Sequence, residues 1–130
     1  MANSDWDLDL RDGLAGEDKV ASLLSIDTIE VKTDRRWKET GNVYIETECY
    51  YVASQSWKPS GIMVSKATHW ALVLEEMVVI IPTDVLRKTA LEWGQAITCD
   101  IEPNPSKGYL VKPYQVIEWY KWKKQAEEIN

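Results

Sequence analysis

Two stretches of strict alternation constrain this chain more than anything else in it. In T-I-E-V-K-T-D (28–34), Ile29 and Val31 fall on one side and Glu30, Lys32 and Asp34 on the other. In N-V-Y-I-E-T-E-C-Y-Y-V (42–52), Val43, Ile45 and Thr47 oppose Tyr44, Glu46 and Glu48. A period of two marks half-buried strands. Between them lies R-R-W-K-E-T-G, turn-rich and closed by Gly41. The spacing therefore predicts an antiparallel hairpin with its apolar faces turned inward. Such a hairpin gathers Glu30, Lys32, Glu46 and Glu48 on one polar face. A Glu–Lys pair on a solvated face contributes under about 1 kcal/mol, so the pair asks for a further reason.

The preceding segment predicts a helix from Leu14 to Leu24, capped by Asp12 and packed over the hairpin sheet. Leu14, Val20, Ala21, Leu23 and Leu24 build its apolar side, and Glu17 falls inside that stripe. A buried carboxylate is costly unless it is paired or bound to metal, so Glu17 is a candidate functional residue. Upstream, D-W-D-L-D-L (5–10) alternates like a short strand or extended arm. Downstream, K-P-S-G (58–61) reads as a turn, and Ser65 as the cap of a helix over K-A-T-H-W-A-L-V-L-E. His69 then has a structural place in that helix. M-V-V-I-I (77–81) reads as a fully buried strand. Pro82 and Thr83 open a helix running to Trp93. P-N-P-S-K-G (103–108) is a loop, G-Y-L-V a brief strand, and Pro113 starts an aromatic helix carrying Trp119 and Trp122. This order fits an α/β or α+β fold in one domain, residues 1–130, with a central mixed sheet flanked by helices.

Charge and cysteines narrow the function classes. The net charge is −6, which argues against a non-specific nucleic-acid coat with its basic stripe. Clustered carboxylates that hold a divalent cation also make a sequence acidic, so a nuclease stays open. Cys49 and Cys99 form no C-x-x-C and there is one His, too few ligands for structural zinc. The two thiols read as small hydrophobes in a reducing compartment, so a cytoplasmic setting is expected. The N-terminus lacks a signal-peptide pattern and the longest apolar run, Met77–Ile81, is too short to span a bilayer.

Five phrases occur in order: G-E-D-K-V (16–20), I-E-V-K-T-D (29–34), T-G-N-V-Y-I-E (40–46), K-P-S-G-I (58–62) and S-K-A-T-H-W (65–70). Together they resemble the PD-(D/E)xK nuclease superfamily of restriction endonucleases, Holliday-junction resolvases and phage exonucleases, and its small phage-type members in particular. An E-x-K by itself occurs by chance in many proteins; the ordered set is more specific. The resemblance spans about Leu14 to Thr89 and implies a restriction-endonuclease-like core. It also implies a metal-dependent nuclease acting on DNA, with Mg2+ as cofactor and Mn2+ able to substitute. Phosphodiester hydrolysis needs a cation held by hard oxygen ligands and neutralisation of charge on the phosphorane. By resemblance, Glu30 and the Val31 carbonyl are metal ligands, Lys32 serves the attacking water, and Glu17 reaches the metal or one of its waters. The family's other acidic residue usually stands a hairpin before E-x-K, often as Pro-Asp. Here Asp27 lies close to Glu30 and follows Ile26, so Asp9, Asp34 and Glu46 stand as alternatives to Asp27. Arg35, Arg36, Trp37 and Lys38 form a basic, aromatic loop suited to gripping DNA phosphates and stacking a base. Branched or single-stranded DNA in phage replication or recombination is the implied setting, with a homodimer supplying one site per strand. The alternative is a catalytically inert acidic module that mimics DNA or binds a host protein.

Overall fold

A computed structural model of the chain describes residues 5–24, 28–100 and 104–129, with side chains from Arg11 onward. The unbroken apolar run W-A-L-V-L (70–74) decides the architecture. It forms most of β4 (His69–Leu74), which lies between β1 (Ile29–Thr33) and β5 (Met77–Pro82) in a three-stranded sheet. A strand with a neighbour on each side can bury both of its faces, and Trp70, Ala71, Leu72 and Leu74 are all buried. β1 runs parallel to β4, with Glu30 opposite Trp70 and Lys32 opposite Leu72. β5 returns antiparallel through a tight turn at Glu75 and Glu76, where Glu75 adopts φ 60°.

The second sheet is antiparallel and four-stranded. It contains β2 (Val43–Tyr51), β3 (Ser56–Pro59), β6 (Gln95–Cys99) and β7 (Ser106–Val111), ordered β3-β2-β7-β6. The helices are α1 (Asp5–Leu24), the short α2 (Trp37–Thr40), α3 (Thr83–Trp93) and α4 (Pro113–Ile129), with a 3-10 turn at Gly61–Met63. The fold is α+β. Its core joins Trp70, Leu72, Leu74 and Ile81 of the first sheet to Val43, Ile45 and Val111 of the second. Ile62, Leu86, Ala90 and Val116 complete it from the turn, α3 and α4. Among the described residues, no helix is long and apolar enough to cross a membrane.

Several expectations are corrected. β1 and β2 are not a hairpin: they belong to different sheets. The loop between them folds as α2, ends at Gly41 with φ 75°, and delivers the chain into the second sheet. Residues 69–74 are a strand rather than a helix, so His69 sits at the start of β4. Ala67, Trp70, Ala71 and Leu74 fit a helical period, yet Trp70, Leu72 and Leu74 fit a period of two equally well, and short apolar runs carry that ambiguity. β5 is an edge strand with Met77 and Val78 exposed instead of buried. The turn after β3 falls at Ser60–Gly61, because Lys58 and Pro59 belong to the strand.

α1 begins at Asp5, so D-W-D-L-D-L is helical rather than extended. α1 also does not cover a sheet: its described residues are exposed apart from Leu23, which is half-buried, and no other element packs extensively on it. Glu17 interrupts the apolar stripe, and burying it against an apolar surface would need a cation beside it.

Gly61 fixes how the chain leaves β3. It adopts φ 54°, and a Cβ there would lie 2.2 Å from the Glu46 carbonyl oxygen. Backbone cannot yield as a flexible side chain can. Gly61→Ala is therefore expected to cost on the order of 2–3 kcal/mol, read as a lower urea midpoint with unchanged slope. A midpoint equal to the parent's would show that this turn tolerates a side chain.

Candidate active site

The register of β1 answers the question that its sequence raises. Directly paired residues in a sheet share a face. Glu30 and Lys32 therefore share the face of Trp70 and Leu72, which are 2% and 1% exposed and belong to the core. Val31 lies on the opposite face and is 61% exposed, beside a half-buried Ile29. The two charges thus sit above buried core residues at the sheet edge, with the Glu30 side chain 32% and the Lys32 side chain 52% exposed.

The two charges are held where β1 forms the edge of its sheet. Lys32 Nζ lies 3.8 Å from Glu30 Oε2 and 5.5 Å from the centre of the Trp70 ring, whose face attracts a cation. Ser65 Oγ lies 3.5 Å from the other carboxylate oxygen, Oε1. Peptide groups alternate sides along a strand. The Asp34 N–H donates to Val73 and the Thr28 carbonyl accepts from Thr68, so the even-numbered groups face β4. The Val31 carbonyl consequently points to the unpaired edge, free to accept.

Beside this pair opens a cleft of about 250 Å3 between the edge of β1 and the start of β2. Lys32, Thr33 and Asp34 line one wall, Val43, Tyr44 and Glu46 the other, with Trp70 and Gly61 completing it. Glu46 thus faces Lys32 across a cleft even though the two strands are not paired. Asp34 is occupied in holding the cleft together: its carboxylate accepts the Arg36 and Tyr44 backbone N–H groups, each at 3.0 Å. Burial pushes the Tyr44 phenol up from its ordinary pKa, against the lowering effect of its 2.7 Å hydrogen bond with Ser106.

The remaining candidates are scattered. Glu17 sits on the exposed face of α1, and its surroundings there are residues of α1 itself: Gly16, Val20, Ala21 and Leu24. Asp27 lies outside the described residues, and so does any side-chain description of Asp9. In the basic loop, Trp37 is half-buried and packed against the core. Lys38 pairs with Glu75 at 3.5 Å, whereas Arg35 and Arg36 are exposed. Trp119 is buried, its indole N–H donated to Glu92, and Trp122 stacks on Trp93.

The fit to a divalent cation is one of kind. Among the described residues, no group of three or more His, Cys, Asp or Glu could hold a metal ion. The candidate donors are hard oxygens: the Glu30 carboxylate and the edge-facing Val31 carbonyl on β1, with Glu46 on the opposite wall of the neighbouring cleft. Magnesium is commonly bound through one or two carboxylates while keeping several waters, so this donor chemistry suits it better than a soft metal.

Two residues that the sequence reading did not place in the site belong to it. Trp70 lies under Lys32, and Ser65 touches Glu30. Both fall in S-K-A-T-H-W, but a helical reading of that phrase makes Ser65 a cap and Trp70 plain core. No protein-family model, no curated protein and no solved structure matches the chain.

Proposed function

We propose that this protein is a magnesium-dependent DNA nuclease of PD-(D/E)xK type that hydrolyses phosphodiester bonds. The observation that carries the reading is the placing of Glu30 and Lys32 on the same face as buried Trp70 and Leu72, at a sheet edge beside a cleft that Lys32 lines. In this reading a DNA strand enters between the edge of β1 and the start of β2. Water attacks phosphorus, one of its protons is removed, the ester P–O bond breaks, and the departing oxygen takes up a proton. Lys32 orients that water and offers its positive charge to the oxygens of the phosphorane. Glu30 and the Val31 carbonyl would hold the cation, Glu46 on the facing wall of the cleft would be a further carboxylate, and the resemblance adds Glu17 and Asp27. Bound there, magnesium would neutralise phosphate charge and favour hydroxide formation.

Arg35, Arg36 and Lys38 stand at the end of β1 as phosphate contacts, with Trp37 anchoring their loop in the core. A substrate that is branched or single-stranded, action as a homodimer, and a phage gene expressed in the host cytoplasm complete the proposal. The test is incubation with duplex, single-stranded, flap and four-way-junction DNA in Mg2+ or Mn2+. Cleavage of at least one substrate, lost on chelation, is expected; intact DNA throughout would refute the nuclease reading.

A second reading has its own observation. Glu17 lies on an exposed helix, and the described residues gather no group of three acidic ligands. An inert acidic module that mimics DNA or binds a host protein would look like this, and it predicts no cleavage under any of those conditions.

A further inference from the structure

Ser65 sits in the loop before β4, and its hydroxyl is committed on every side. It accepts the Trp70 indole N–H at 3.1 Å and the Ala67 backbone N–H at 3.3 Å. A serine hydroxyl has two lone pairs and one proton to give. With both lone pairs engaged, only the proton is left, and Glu30 Oε1 is the oxygen within reach at 3.5 Å. The hydroxyl is thereby made a donor, and an ionised carboxylate is purely an acceptor.

From this geometry we infer that Ser65, oriented by Trp70, is a positioning residue that fixes the Glu30 carboxylate for cation binding. The inference rests on the nuclease reading and extends it beyond the residues that touch metal or substrate. Trp70 is suited to the task because it is 2% exposed and lies opposite Glu30 in the sheet. It serves both charged groups at once, its ring face carrying Lys32 and its N–H directing Ser65 toward Glu30. The two carboxylate oxygens are distinguished as well: Oε1 meets Ser65, and Oε2 meets Lys32. Contacts at both oxygens favour one orientation of the carboxylate and so one direction for its remaining lone pairs.

The test is calorimetric titration of Mn2+ into the DNA-free protein and three variants, alongside cleavage at graded Mn2+ concentrations. Removing a group that orients a metal ligand weakens binding by about 10- to 100-fold, and the long Ser65–Glu30 contact places Ser65→Ala near the lower end, about tenfold. The same factor is expected in the Mn2+ concentration for half-maximal cleavage. Ser65→Thr keeps the hydroxyl and should restore affinity to within about twofold of the parent. Trp70→Phe keeps a ring under Lys32 but frees the Ser65 hydroxyl to rotate, and should weaken Mn2+ binding measurably but by less than the roughly tenfold expected for Ser65→Ala. If Ser65→Ala proves unstable by circular dichroism, the Trp70→Phe and Ser65→Thr titrations carry the decision. Parental Mn2+ affinity in folded Ser65→Ala or in Trp70→Phe, with cleavage intact, overturns the positioning role and leaves the nuclease reading standing. A parent protein that neither binds Mn2+ nor cuts DNA overturns both.

Discussion

Replacing Lys32 by alanine is expected to lower DNA cleavage by at least about a thousandfold, as loss of a charge aimed at the transition state does, while the fold survives. Lys32 is half exposed and lies at a sheet edge, so its removal leaves no cavity in the core. Its ammonium sits beside Glu30 and over Trp70, and in the proposed mechanism it faces the negative charge of the phosphorane. DNA affinity should change little, since one lysine is a small part of the phosphate contact. Glu30→Gln keeps the side chain's shape and removes the charge proposed to hold the cation, so cleavage should fall by a similar order and recover in part at higher metal concentration. A solvated ion pair predicts otherwise: each change would cost a few tenths of a kcal/mol in stability and leave catalysis alone.

The second large effect is on stability. Trp70→Ala should destabilise the fold by about 3–5 kcal/mol, the range for deleting a buried aromatic ring. Trp70 is among the largest fully buried side chains and touches core residues of both sheets. Its neighbour across β1 supplies the contrast. Val31→Ala removes an outward side chain that is 61% exposed, and should cost under about 0.5 kcal/mol. Urea unfolding of both variants measures the difference. A costly Val31→Ala together with a cheap Trp70→Ala would mean that β1 and β4 face the other way, and the charges of β1 would then be solvated.

Local pattern revealed much of this fold, and its failures share one cause. Residues 29–33 and 43–51 are strands because their alternation leaves no other period. α3 begins at Thr83 after Pro82, and α4 begins at Pro113, as proline's fixed φ favours at a helix start. What alternation cannot supply is the partner of a strand. The face of β1 that turns inward is set by β4 beside it, so Glu30 and Lys32 could be seen to share a face, but not to share it with Trp70. The same gap hid β4 itself, since S-K-A-T-H-W-A-L-V-L-E fits a helix until β1 and β5 flank it. β6, Gln95–Cys99, has one interior apolar residue, Ile97, that is even half-buried, so it carried little signal. Glu46 was legible as a candidate through its strand period, and the structure brings it to the cleft from an inner strand of a second sheet rather than across a hairpin. Glu17 shows the limit from the other side. Its place in an apolar stripe suggests burial, yet nothing in α1 specifies what the stripe should cover.

The Glu30–Lys32 pair at the edge of β1 is proposed to be catalytic. The most direct test of that role compares parent and Lys32→Ala protein, at equal folded concentration, on four-way-junction, flap, single-stranded and duplex DNA in Mg2+. The expected result is that the parent cuts at least one substrate and the variant cuts none over the same period. Equal cutting by the two proteins, or no cutting by the parent, would contradict it.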